Sequence, residues 1–196
     1  MLDTIAENQP DRRPAILVCA YEASDSLWPA RDAELWSPPG ARVRAMAADD
    51  PATLAALITG QLDDAECRAV LLIGRTKKSD GFRIQMRAEN RALTGGQKLS
   101  QTGPALARAT APAADMVRAL TDAGLAAEAT SDGEDDAGSY LLYRILTALP
   151  DNADAPSVGL LRASASMDED QVRLGVQTAA AAMARHLSPL PRARFS

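Results

Sequence analysis

Short apolar runs bounded by turn residues alternate along the chain with longer segments in which apolar side chains recur every three or four positions. The first pattern is typical of strands and the second of helices, and their alternation predicts an α/β domain with a mainly parallel sheet. The runs beginning at Ala15 and Ala69 are almost uninterrupted, as in strands that are covered on both faces. Six strands are expected, at residues 15–20, 42–46, 69–73, 82–86, 126–130 and 157–161.

Four helices are expected, three between these strands at residues 51–62, 113–123 and 136–149 and one after the last strand at residues 168–186. Pro51 suits a first helical turn, and Asp49 or Asp50 is placed to cap it. Gly124 is placed to end the second helix in a left-handed conformation. Pro150 stops the third helix, because proline cannot continue a helical hydrogen-bond pattern.

The length of 196 residues fits one compact domain over residues 1–196, with a loose tail at residues 188–196 that holds two prolines. The formal net charge of -5 gives no electrostatic case for binding nucleic acid. No apolar run approaches the roughly 20 residues that span a bilayer. Charges near the N-terminus stand where a signal peptide has its apolar core, so a cytoplasmic location is expected.

The candidate chemistry of metals and cofactors is sparse. Two cysteines, Cys19 and Cys67, and a single histidine, His186, provide neither a disulfide framework nor the ligands of a zinc site. No phosphate-binding glycine fingerprint is present. We therefore expect no metal and no cofactor. Cys19 lies near the end of the first strand, where it is either packed in the core or a reactive thiol near the site.

The segment at residues 103–143 carries a family resemblance and reads GPALARATAPAADMVRALTDAGLAAEATSDGEDDAGSYLLY. It resembles the segment of the pyroglutamyl peptidase I family (peptidase C15) that leads into A-G-T-Y-x-C-N, where the cysteine is the nucleophile. That cysteine follows the glycine by four residues. Counting four from Gly138 reaches Leu142, and Ser139 stands where family members often carry threonine.

Three other segments extend the resemblance. ILVCAYEA, from Ile16, is similar to the family's I-L-V-T-G-F-E-P-F and puts Tyr21 at an aromatic pocket position. Gly74 and the residues after it resemble G-Q-A-x-G-R-x-x-I. IQMRAEN stands against I-x-x-E-R-x-A-x-N and matches Arg87 to the family's glutamate. GLLRAS stands against G-F-I-H-V-P and matches Arg162 to the histidine base.

The resemblance implies a three-layer α/β/α fold with a twisted, mainly parallel sheet (pyroglutamyl-peptidase/phosphorylase-like) and a homo-oligomer. It also implies that the catalytic residues are replaced. An aliphatic side chain has no lone pair, and a guanidinium stays protonated and cannot activate a thiol. The positions that the resemblance assigns to a pocket are Tyr21, Glu22, Gly74, Arg75, Arg87, Gly138, Ser139, Leu142 and Arg162.

Three functions stay open at this point. The first is a catalytically inactive pyroglutamyl-peptidase-like protein that keeps a pocket for a small molecule or a peptide terminus. The second is a hydrolase of a small amide or pyroglutamyl peptide with a relocated nucleophile such as Cys19. The third is a structural partner in a hetero-oligomer. If Arg87 and Arg162 both face the cleft, its ligand is expected to be a small anion or a peptide.

Overall fold

The structure is a computed structural model that describes residues 11–22, 36–151 and 154–187. These residues form eight strands and four helices. The strands are β1 (Ala15–Ala20), β2 (Arg42–Met46), β3 (Cys67–Thr76), β4 (Phe82–Gln85), β5 (Arg87–Glu89), β6 (Leu106–Arg108), β7 (Ala127–Thr130) and β8 (Ser157–Ser164). The helices are α1 (Pro51–Leu62), α2 (Ala113–Asp122), α3 (Ala137–Ala148) and α4 (Glu169–Ala184).

Six of the strands form one sheet in the order β2-β1-β3-β8-β4-β7. The four strands from β2 to β8 are parallel, whereas β4 runs antiparallel to β8 and carries β7 parallel to itself. The predicted α/β fold with a mainly parallel sheet is therefore confirmed. The carboxyl ends of β1, β3 and β8 meet at one edge of the sheet, the edge where open α/β folds place their ligand sites.

Alternation along each strand directs side chains to two separate apolar layers. Ile16 and Val18 of β1 belong to the layer that contains α2 and α4. Leu17 and Cys19 belong to the opposite layer, which contains α1 and α3. The sheet is thus covered on both faces by a pair of helices, which makes three layers.

The expected helix ends are present. The side chain of Asp50 accepts a hydrogen bond from the Thr53 backbone N–H and caps α1, with Pro51 as the first helical residue. Gly124 follows α2 with a φ of 79°, a left-handed conformation that glycine adopts without steric cost. Asp136 caps α3 by accepting a hydrogen bond from the Ser139 backbone N–H.

The structure adds one element that the sequence pattern does not indicate. β5 and β6 pair as a separate antiparallel two-stranded ribbon, with Arg87 opposite Arg108. β3 and β8 are also longer than expected, so that Arg162 lies inside β8 rather than after it. The predicted tail at residues 188–196 lies outside the described residues. Within the part that is described, no helix has both the length and the apolar character needed to cross a bilayer.

Candidate functional site

A buried arginine stands at the centre of the candidate site. Arg162 of β8 is 1% exposed. Its Nη2 donates to Asp136 Oδ1 at 2.6 Å and its Nε to Asp136 Oδ2 at 3.2 Å, which is a bidentate contact. Nη2 also donates to Ser139 Oγ at 3.1 Å, and Nη1 donates to Gln85 Oε1. All three nitrogens of the guanidinium thus have acceptors.

Local structure explains how these partners reach Arg162. Asp136 and Ser139 occupy the start of α3, where the cap places the Asp136 carboxylate at the positive end of the helix. Gln85 ends β4, which is the antiparallel neighbour of β8. The site therefore joins the end of β4, the start of α3 and the carboxyl-terminal half of β8.

A second carboxylate, that of Glu134, lies close to Arg162 in addition to that of Asp136. Glu134 Oε1 accepts from Thr76 Oγ1 at 2.7 Å and from Arg83 Nη1 at 3.3 Å, and it lies 3.7 Å from Arg162 Nε. The Glu134 side chain is 15% exposed, so the acidic run before α3 is partly built into the fold. Arg83 is also bound by Glu128 Oε1 at 3.0 Å.

These contacts keep the arginine charged. Burial disfavours the charged guanidinium, but the interactions with Tyr21, Asp136 and Glu134 outweigh burial and raise the pKa of Arg162 above its ordinary value. Arg162 is therefore a fixed cation whose charge is balanced from within the protein. It can neither accept a proton from a nucleophile nor offer an unpaired charge to a ligand.

Tyr21 completes the network on the side of β1. It is 3% exposed, and its hydroxyl donates to Asp136 Oδ2 at 3.1 Å. Burial is the main reason why its pKa is raised. The end of its ring lies against Gly74 of β3 and Gly138 of α3. A Cβ atom on Gly138 would come within 2.5 Å of Tyr21 Oη, and a Cβ atom on Gly74 would overlap the same hydroxyl.

A cavity of about 300 Å³ opens outside this network. Asp136, Ser139 and Gln85 belong to both the network and the cavity wall. At the rim, Arg91 bridges two carboxylates, with Nη1 donating to Asp135 Oδ2 at 2.9 Å and Nη2 to Glu89 Oε2 at 3.3 Å. The lining residues are Lys78, Gln85, Glu89, Arg91, Ala92, Leu93, Gly133, Glu134, Asp135, Asp136, Ser139 and Tyr140.

The structure brings together five of the residues that the sequence assigned to a pocket. Ser139 lines the cavity, while Tyr21, Gly74, Gly138 and Arg162 gather around Asp136 one layer deeper.

The other four residues lie apart from the cavity wall. Leu142 of α3 is fully buried in the layer with α1. Arg87 donates through Nε to the Ser131 carbonyl oxygen at 2.9 Å. Arg75 donates through Nη1 to the backbone carbonyl oxygens of Ser164, the last residue of β8, and of Met167. Glu22 is exposed. Neither Arg87 nor Arg162 is among the residues that line the cavity.

Gln85 is the residue that the sequence comparison missed. It is 1% exposed and contacts both Arg162 and Ser139. Counting the pattern I-x-x-E-R-x-A-x-N back from Asn90, instead of forward from Ile84, puts its glutamate on Gln85 rather than on Arg87. An alignment anchored on Asn90 would therefore have identified Gln85 from the sequence.

Neither cysteine has the surroundings of a nucleophile. Cys19 is fully buried, and burial raises the pKa of its thiol to about 12. Cys67 is also buried, and burial raises its pKa as well. Both lie in the layer with α1 and α3.

The only histidine in the chain, His186, follows α4 on the opposite face of the sheet from both cysteines. Its Nε2 lies 2.8 Å from Asp115 Oδ2 of α2. No Cys–His pair can therefore form. In the described ranges, no group of three or more His, Cys, Asp or Glu side chains is arranged to hold a metal ion.

Known proteins with the same architecture are found among solved structures. No protein-family model and no curated protein matches the sequence. The pyroglutamyl peptidase I of Bacillus amyloliquefaciens superposes with a TM-score of 0.77 at 12% identity, over 88% of this chain and 95% of that one.

Two further structures are similar. A mutant pyrrolidone carboxyl peptidase from the hyperthermophile Pyrococcus furiosus gives a TM-score of 0.74 at 14% identity, over 89% of this chain and 100% of that one. Pyrrolidone carboxyl peptidase from Thermus thermophilus gives 0.70 at 15% identity, over 85% and 98%. At these identities the similarity establishes the fold.

Proposed function

We propose that this protein is a pyroglutamyl-peptidase-like protein that binds a small molecule or a peptide terminus and does not cleave peptide bonds by a cysteine mechanism. The observation that carries the proposal is the burial and the hydrogen bonding of Arg162. It stands where the resemblance places the histidine base, and it is buried and bound by Asp136 and Gln85.

The chemistry of cysteine peptidases requires a thiolate and a group near its own pKa that takes the thiol proton. Leu142, at the position of the nucleophile, offers neither a sulfur nor a proton. Arg162 keeps its proton, because its contacts raise an already high pKa. A neutral Gln85 at the position of the glutamate cannot balance a charged base as a carboxylate does.

A relocated nucleophile has little support. Cys19 is the cysteine closer in sequence to Tyr21, which it precedes by two residues, but it is fully buried. With a pKa of about 12, almost none of its thiol is ionised at neutral pH. We therefore favour binding without hydrolysis.

The cavity outside Arg162 is the proposed ligand site. Its wall mixes apolar side chains such as Leu93 with charged ones, as ligand pockets commonly do. The charged lining residues are the acids Glu89, Glu134, Asp135 and Asp136 and the bases Lys78 and Arg91. The two arginines that suggested an anionic ligand, Arg87 and Arg162, are not among them. We therefore expect a small molecule or a peptide terminus without a requirement for negative charge.

The experiment is a hydrolysis assay with a pyroglutamyl chromogenic amide, with the Bacillus amyloliquefaciens peptidase as positive control. We expect no release above buffer at any protein concentration. Release that scales with the amount of this protein would overturn the proposal. If that release were lost in Cys19→Ala, the relocated nucleophile would be the correct explanation.

The resemblance also supports a homo-oligomer in the cytoplasm. Light scattering coupled to size-exclusion chromatography tests the first point, because a mass of one chain at micromolar concentration would contradict it. Cell fractionation tests the second.

A further inference from the structure

The ring of Tyr21 fills a slot between two glycines on different elements. Gly74 belongs to β3 and Gly138 to α3, and neither position has room for a methyl group because of the Tyr21 hydroxyl end. Both β3 and α3 therefore have a glycine, with no side chain, where they meet the Tyr21 ring. The slot is shaped around a six-membered ring.

The position of the slot in the fold is one where ligand sites occur. It lies at the carboxyl ends of β1 and β3, at the sheet edge that α/β folds use for ligands. A charged acceptor, Asp136 Oδ2, receives the ring hydroxyl at 3.1 Å, and Arg162 holds that carboxylate in place. Asp136 is also part of the wall of the 300 Å³ cavity, so the slot and the cavity adjoin.

We propose that this slot is a ring-binding site occupied by the side chain of Tyr21 itself, which restricts any ligand of the native protein to the outer cavity. The class of molecule that the slot accepts is a planar ring with one hydrogen-bond donor, of which phenol is the simplest example. Tyr21 is therefore a residue that determines specificity by exclusion. This inference concerns a different space from the proposed ligand cavity and does not depend on the absence of hydrolysis.

The experiment measures binding of phenol and of toluene to the native protein, to Tyr21→Ala and to Tyr21→Phe by isothermal titration calorimetry and thermal shift. We expect Tyr21→Ala to bind phenol and to gain thermal stability from it. Toluene has the same ring without the hydroxyl, and we expect it to bind at least about tenfold more weakly, since it cannot donate to the charged Asp136 carboxylate and leaves Oδ2 with Arg162 Nε alone. The native protein and Tyr21→Phe keep the ring in place and should bind neither probe.

Three results would overturn the inference. The first is a folded Tyr21→Ala that does not bind phenol, and the second is equal affinity of that variant for phenol and toluene. The third is phenol binding by the native protein as tight as that of the variant. If Tyr21→Ala does not fold alone, saturating phenol should restore a cooperative unfolding transition, and a variant that stays unfolded would equally contradict the inference.

Discussion

The guanidinium of Arg162 and the carboxylate of Asp136 are joined by two hydrogen bonds, of 2.6 Å and 3.2 Å. The same carboxylate caps α3 through the Ser139 backbone N–H. One ion pair thus fixes the start of α3, which carries Leu142, against the carboxyl-terminal half of the central strand β8.

Removing the cation should destabilise the fold. Asp136 is mostly buried, and Arg162→Met removes the cation that pairs with it. Removing one partner of a buried ion pair costs about 3 kcal/mol or more. We expect the free energy of unfolding in urea to fall by about 3 kcal/mol. An exposed pair gives the control, because Arg173 contacts Asp170 at 3.1 Å on the surface of α4. Arg173→Met should cost less than about 1 kcal/mol, and equal losses in the two variants would show that burial of the Arg162 pair is unimportant.

Asp136 both pairs with Arg162 and caps α3, and two substitutions distinguish these roles. Asp136→Asn removes the charge but keeps a good helix cap, whereas Asp136→Ala removes both. We expect both variants to be destabilised in urea unfolding, with the alanine variant about 1 kcal/mol worse. At the exposed cap of α1, Asp50→Asn should be nearly neutral and Asp50→Ala should cost about 1 kcal/mol. If Asp136→Asn were as harmless as Asp50→Asn, the ion pair would contribute little.

Most of the fold followed from local signals. The bounds of β1, β2 and α1 were predicted without error. An apolar run marks β1, and a cap followed by a proline marks the start of α1. The β5–β6 ribbon was missed because each strand has three residues and carries charged side chains such as Arg87 and Arg108, with no apolar alternation.

The site was predictable only in part. The family resemblance pointed to Ser139 and Leu142 by their spacing from Gly138, and of these two Ser139 lines the cavity whereas Leu142 is buried in the core. The contact between Arg162 and Asp136 joins residues 26 positions apart through the packing of β8 against α3. Likewise, no local pattern states that Tyr21 fills the space left by Gly74 and Gly138. Such contacts require the assembled fold.

The buried thiol of Cys19 should make stability sensitive to high pH. Its pKa is raised by burial from 9.0 to about 12, so the folded state keeps the proton that the unfolded chain releases. The unfolded state therefore binds fewer protons above pH 9, and this contribution to stability is complete below pH 9 and is lost as pH rises toward 12. We expect the free energy of unfolding to fall over this interval, and to fall less steeply in Cys19→Ala.

Labelling of the thiols gives an independent check. Both cysteines of the native protein should react with a thiol reagent at neutral pH far more slowly than in denaturant, because both are buried and their pKa values are raised. Fast labelling of Cys19 in the folded protein would instead indicate an accessible thiolate and would support the hypothesis that Cys19 is a relocated nucleophile.

The contact of Tyr21 with Gly138 should reverse the usual effect of alanine in a helix. Gly60 of α1 has open space around its Cα, so Gly60→Ala should stabilise the protein by about 0.5–1 kcal/mol. Gly138→Ala gains the same helix propensity but forces a methyl group against the buried Tyr21 ring, and we expect a net loss of about 1–2 kcal/mol. In a Tyr21→Ala background the obstacle is gone, so Gly138→Ala should then stabilise, as Gly60→Ala does. Urea unfolding of the native protein, the two single variants and the double variant measures the coupling. A loss of the same size in both backgrounds would show that Tyr21 is not the obstacle.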